Sequence, residues 1–402
     1  MTHTAPERSR TVSAAEVATT RRGTVVVTDL EGRGSLAAAR SLSRTGYRVV
    51  GASTSRLAPG RWSRTCDRRI LLPDPRPDPA RYARELAAAL ADEAADLLVV
   101  GSDATLLAVS AGREVLEPVV RTELPAHEVV LRVTDKVAVA AAAAAVGLTG
   151  PAGVECADAG AVRAAVAARG YPLLLKPPRS VALEGGTLRE RRSRRVGSPA
   201  ELERALAELG LPLLVQELVE GPVYSVAGVA ADGALRGCVV ARYLRTWPAD
   251  AGAAAFAETV VPDSGVVERV EELVVSLGWS GIFEVELVRR PDGTYAVIDL
   301  NPRVYGSLAL SGAAGAPLAV IWCDTALGHG DDFREAAPGI GYRCEDFDAR
   351  HLFVDLWRRH PADALAVLRP RRHVTHAYSD LRDPLPVAVR WIGGAARRVR
   401  HR

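Results

Sequence analysis

The stretch "GIFEVELVRRPDGTYAVIDLNPRVYGS" (residues 281–307) reads as two short strands joined by Asp292-Gly293. An Asp-Gly pair between alternating apolar runs is a strong signal for a two-residue hairpin turn. With that loop Pro291 opposes Thr294, Val288 opposes Val297, Glu286 opposes Asp299 and Glu284 opposes Asn301. Strand side chains alternate between faces. Glu284, Glu286, Asp299 and Asn301 therefore share one face, and Arg303 follows in the same parity. Phe283, Val285, Leu287, Ile298 and Leu300 take the other. Pro302 and Gly306 end the second strand.

Carboxylates held only ~5 Å apart across a sheet repel one another. A cation between them removes the conflict. Glu286, Asp299 and Asn301 offer oxygen ligands only, which suits Mg²⁺. A Mg²⁺ held by one or two carboxylates commonly also touches phosphates, and Arg303 is placed to clamp the same phosphates. The competing reading is a solvated acidic face; it accounts poorly for acid opposite acid between apolar strand residues.

The rest of the chain gives this hairpin a setting. Its 402 residues are long for one core and predict two or three domains. A net charge of +3, with no basic stripe interleaved with aromatics, argues against nucleic-acid binding. The five cysteines include no C-x-x-C pair, so neither a zinc site nor a disulfide framework is expected and a reducing cytoplasm fits best. Residues 1–22 are polar and read as a disordered tail. The apolar runs 137–148 and 308–323 fall short of the ~20 residues a membrane span needs.

"TVVVTDLEGRGSLAAARSLSRTGYRVVGAS" (24–53) parses as strand, glycine turn, helix, strand, and the alternation repeats through residue 111. A parallel sheet is expected there. Its turn holds Gly32-x-Gly34-x-x-Ala37, a partial dinucleotide fingerprint. The same glycines are explained at least as well by a tight strand-to-helix turn. Thr134 or Asp135 starts an Ala-rich helix that Gly147 ends. "PLLLKP" is a strand carrying Lys176. Residues 199–210 form an amphipathic helix, and strands follow from 211 to 246. From 331 onward the chain reads as a polar, irregular extension.

In this order the residues resemble the ATP-grasp superfamily of carboxylate ligases, within it the carbamoyl-phosphate-synthetase-like and biotin-carboxylase-like members. The likeness spans most of residues 23–328. Asp135-Lys136 resembles the family's first nucleotide lysine, Lys176 the second, "LLVQELVEG" (213–221) the hinge strand, "FEVEL" the first metal strand and "DLNPRVYGS" the signature E-I-N-P-R-x-x-G-S. The fold implied is α/β with an α+β lid: an N-terminal parallel α/β pre-ATP-grasp domain (23–112), then a two-subdomain ATP-grasp fold (113–330) with its lid at about 152–222, then the extension 331–402. A looser match, "RYLRTWPADAGAAAFAETV", aligns Arg242, Arg245 and Gly252 with a segment near the phosphates.

The resemblance implies ATP and Mg²⁺ as cofactors, with Mn²⁺ as a substitute. Lys136 and Lys176 would neutralise phosphates. Glu217 and the backbone of Leu218 and Val219 would hold adenine. Glu286, Asp299 and Asn301 would ligate metal, and Arg303, with Asn301, would serve the transferring phosphoryl group. The activity implied is ligation: a carboxylate activated as acyl phosphate, then attacked by an amine or other nucleophile. The partners would be small molecules, with a homodimer left open. The chain departs from the pattern at Asp299, where glutamate is usual, and at Val223, where an acid often meets the ribose. These departures motivate a second reading, a non-catalytic ATP-binding regulatory protein of the same fold. A nicotinamide oxidoreductase would rest on the glycine turn alone. The basic end (389–402) could touch an anionic membrane, although a solvated tail or terminal helix is favoured.

Overall fold

The computed structural model describes residues 22–248, 252–263, 265–330, 332–357, 367, 369 and 371–400. Of the expected tail, residues 1–22, all but Arg22 lie outside them, as do 401–402; Arg22 pairs with Asp324 at 2.7 Å. No helix among the described residues is long and apolar enough to cross a membrane.

Among the described residues three larger sheets carry the chain, beside a two-stranded one of Val181–Glu184 and Thr187–Glu190. The first is parallel, in the order Arg68–Leu71, Arg48–Ser53, Thr24–Val27, Leu97–Val99. Its central strand is apolar on both sides because both faces are covered. Val26 packs with Leu86, Leu90 and Leu106, whereas Val25 and Val27 pack with Ala38, Leu42 and Cys323. That second cluster also takes Ala227, Val229 and Ile282 from the largest sheet. The N-terminal sheet is thus seated on the rest through shared apolar side chains.

The second sheet is antiparallel, in the order Gly153–Cys156, Leu213–Glu217, Leu173–Lys176, Arg194–Val196. The helices Ala159–Arg169 and Pro199–Leu209 complete it. Each starts on a side-chain cap, Asp158 or Ser198, and ends at a glycine with positive φ, Gly170 or Gly210. Alternation sorts its strands: Leu173, Leu175, Leu213 and Val215 enter a small core, while Leu174 and Lys176 line the central cleft.

The third sheet has eight strands. Its path runs Tyr295–Asn301, Gly281–Arg289, Val223–Ala231, Ala234–Trp247, Ala253–Thr259, Gly341–Arg343, Val374–His376, with Arg334–Glu335 beside Ala234–Trp247. The last three named strands correct the reading of an irregular extension after residue 331. They are two or three residues long, too short for any periodicity to register.

The hairpin contains a further correction. The Arg290 N–H donates to Thr294 O at 2.8 Å and the Gly293 N–H to Arg290 O at 3.0 Å, with Gly293 at φ +86°. The loop therefore has three residues, and Val288 opposes Ala296, not Val297. A bulge at Ile298 then shifts the register back, so Glu286 opposes Asp299 and Glu284 opposes Asn301. Ile298 consequently lines the cleft with Asp299, while Val297 enters the core.

Candidate active site

The three sheets enclose a cleft of about 780 Å³. Its floor is the hairpin face. Glu284 is 3% exposed and accepts hydrogen bonds from Tyr243 Oη (3.0 Å), Ser307 Oγ (3.1 Å) and Asn301 Nδ2 (3.2 Å). Tyr243 Oη also reaches Glu286 Oε1 at 3.3 Å. Burial, together with the charges of Glu284 and Asp299, pushes the Glu286 carboxyl up to about 8. Burial raises Glu284 as well, against the pull of its donors. These acids are crowded and under-compensated, the condition a bound cation relieves.

Two lysines face the acids. Lys176, 9% exposed, donates to Ile298 O at 3.0 Å, so it grips the carbonyl of the bulge residue. Burial lowers its pKa, against the opposing pull of Asp299. Lys136 is the first residue of the helix Lys136–Ala145, which Asp135 caps by accepting from the Val137 and Ala138 N–H groups. Its Nζ donates to Ser180 Oγ at 2.8 Å and stands 3.7 Å from Asp299. Nearby, Arg179 pairs with Asp135 at 2.7 Å.

Arg303 closes the far end. Its Nε and Nη2 donate to the two oxygens of Asp103 at 2.6 and 3.1 Å, and Nη2 also donates to Asn301 Oδ1 at 3.1 Å. Burial raises the Asp103 carboxyl, but the Arg303 charge outweighs it and the net shift is downward. The Asn301 oxygen is thus engaged by Arg303, leaving one lone pair for any other ligand.

At the opposite end Glu217, Leu218 and Val219 line the cleft. The Glu217 Oε1 accepts from the Ala152 N–H at 2.9 Å and pairs with Arg290. Burial alone would raise this carboxyl, yet these donors hold it below its usual value. Its side chain therefore ties the entry into the second sheet to the hinge.

The fold gathers every residue singled out from the sequence, apart from two in the looser segment. Arg242 is exposed and opposes Glu258, and Arg245 pairs with Asp348 at 2.8 Å. Gly252 does line the cleft. Of the arginines at 179–196, Arg191 pairs with Glu184 and Arg194 with Glu208, whereas Arg195 lines the cleft. Gly32 and Gly34 line it too, so the glycine turn belongs to this site. Sequence reasoning missed Asp103, Tyr243, Ser307 and Arg33. Asp103 carried only the signal of an acid opening a helix after a Ser102 cap.

The donor set suits Mg²⁺. It is all oxygen: the carboxylates of Glu286 and Asp299 and the remaining lone pair of Asn301. That matches an ion that takes one or two carboxylates and completes its shell with water and phosphate.

Residues 211–346 match the family described as "ATP-grasp in the biosynthetic pathway with Ter operon". An 88-residue segment is 38% identical to the carbamoyl phosphate synthase large chain of Clostridium perfringens, covering 21% of this chain and 8% of that protein. The N5-carboxyaminoimidazole synthetase of Staphylococcus aureus, solved with ADP, superposes with a TM-score of 0.60 at 13% identity, over 78% of this chain and 79% of that one. An L-amino acid ligase from Bacillus licheniformis gives 0.57 at 16% identity, over 77% and 75%. Residues 211–346 thus match an ATP-grasp family model, and the fold over about three quarters of the chain is similar to those of these two enzymes.

Proposed function

We propose that the protein is an ATP- and Mg²⁺-dependent ligase that activates a carboxylate as its acyl phosphate and passes the acyl group to an amine or other nucleophile. The observation that carries this reading is the crowded acid pair Glu286/Asp299 sharing one cleft with Lys176 and Arg303, with Lys136 Nζ 3.7 Å from Asp299. Residues 23–112 would be the preceding domain, 113–330 the ATP-grasp domain and 152–222 its lid.

Glu286 and Asp299, with the remaining lone pair of Asn301, would hold the metal, which would draw charge from the phosphates; Mn²⁺ has the same oxygen preference. Lys176, from the lid, and Lys136, from the helix before it, would neutralise the nucleotide's phosphates. The hinge backbone at Leu218 and Val219 would face adenine, and Glu217 would set the hinge. A substrate carboxylate oxygen would attack the γ-phosphorus and ADP would leave. The nucleophile would then attack the acyl carbon, expelling phosphate. Arg303, fixed by Asp103, would meet charge developing on the phosphoryl group without having to reorganise.

The direct test is ADP release in the presence of ATP and Mg²⁺ over a panel of acids and amines. Release that needs both an acid and a nucleophile, and that Glu286→Gln abolishes, is expected. Stabilisation by ATP with no ADP from any pair would favour the non-catalytic reading, which the engagement of both Asn301 and Arg303 by other side chains also favours.

A further inference from the structure

The proposed chemistry uses the cations on the hinge side of the cleft and Arg303. It leaves Arg33 unused. Arg33 lines the cleft from the N-terminal unit, beside Gly34 and Gly306. Its Nε donates to Gly306 O at 3.1 Å, and its guanidinium carbon stands 4.7 Å from the centroid of the Phe347 ring. Tyr342 Oη donates to the same carbonyl at 2.9 Å.

This seat is built closely. A Cβ on Gly34 would lie 2.2 Å from Tyr305 O, and one on Gly306 would lie 2.5 Å from Arg33 Nη2. The two glycines let the helix start and the loop after Arg303 close around the guanidinium. Arg303 has Asp103 as its countercharge, but no carboxylate among the described residues pairs with Arg33. An arginine does not discharge by losing its proton. Glu284 feels its charge from a distance, but a partly desolvated guanidinium with no carboxylate in contact gains from a ligand that supplies one.

Resting on the ligase reading, we infer that Arg33 receives a substrate carboxylate other than the one being activated. One of the two substrates would then carry a carboxylate that survives the reaction, as an amino acid nucleophile or a dicarboxylic acid would. A planar fork held by Gly306 and Phe347 matches a carboxylate bidentately. The lysines and the metal site already account for nucleotide phosphates.

The test is calorimetric binding to the full chain loaded with a non-hydrolysable ATP analogue and Mg²⁺. The ligands are the common amino acids and their C-terminal amides, short dicarboxylic acids and their monoamides, and inorganic phosphate as competitor. At least one acid should bind well above its amide. Arg33→Met should weaken that acid about 10- to 100-fold, leave the amide unchanged and leave the analogue's affinity unchanged. Arg33→Lys should recover part of the loss, and it carries the test if the Met variant does not fold. Selectivity for amino acids or for dicarboxylates identifies which substrate bears the group.

No acid-over-amide preference, preference retained in the variant, equal loss of analogue binding, or phosphate outcompeting every acid would each overturn the inference. ADP release on the same panel separates the two readings. Acid-selective binding without turnover counts against the ligase alone. Turnover without acid preference counts against Arg33 alone.

Discussion

Removing the acid that holds Arg303 should destabilise the protein in a way only that arginine can explain. Asp103 and Arg303 are joined by hydrogen bonds of 2.6 and 3.1 Å, with side chains 22% and 19% exposed. Stranding one partner of a fully buried pair costs about 3–5 kcal/mol; this partly exposed pair should lose about 2–3 kcal/mol in either Asp103→Ala or Arg303→Ala. The double variant strands neither charge. The double-mutant cycle should therefore return a coupling of about 1.5–3 kcal/mol by urea unfolding at pH 7. The pH dependence has a definite sign. The Asp103 carboxyl is depressed in the folded state, so its contribution is complete above the unfolded value of roughly 3.9 and is lost as pH falls below it. The coupling should shrink steadily as pH falls below that value and vanish only once the depressed folded carboxyl is itself protonated. Catalytically, Asp103→Asn keeps the shape but replaces one acceptor by a donor facing Nη2. Turnover should fall about 10- to 100-fold with ATP affinity retained. A coupling below about 0.5 kcal/mol at neutral pH would refute the reasoning.

Three further outcomes follow from the same geometry. Glu286→Gln and Asp299→Asn should each remove the Mg²⁺-dependent part of the thermal shift that ATP produces; an undiminished shift in both would rule out these ligands. Lys176→Met should weaken ATP about 10-fold or more while leaving the unfolding midpoint level or higher, because methionine takes no desolvation penalty in that buried position. Loss of stability with unchanged ATP affinity would make Lys176 a structural residue. Gly34→Ala should cost about 1–3 kcal/mol in urea unfolding, since its methyl group would meet backbone at Tyr305 and neither side can yield cheaply. A neutral result would show that the contact between helix start and loop is looser than drawn.

The acid face of the hairpin was legible because it depends on neighbours within about twenty residues and on a period of two. Even so, the facing pairs Glu286/Asp299 and Glu284/Asn301 came out correctly through two offsetting errors. Gly293 makes a three-residue loop, which slips the register by one, and the bulge at Ile298 restores it. The bulge is no defect for the site, because its residue offers Lys176 a carbonyl and sits on the cleft wall.

The sequence by itself determined the α/β alternation, the helix caps and the acidic face of the hairpin, all set by local spacing and side-chain chemistry. Tertiary structure alone decided that Asp103 meets Arg303 across 200 residues, that Tyr243 bridges the two glutamates, that Glu217 is tied to Arg290, and that Arg33 stands in the cleft with no contacting carboxylate among the described residues. Those contacts depend on strand order and on how one sheet seats on another. Both are set by apolar packing summed over the whole chain, and no local pattern encodes that sum.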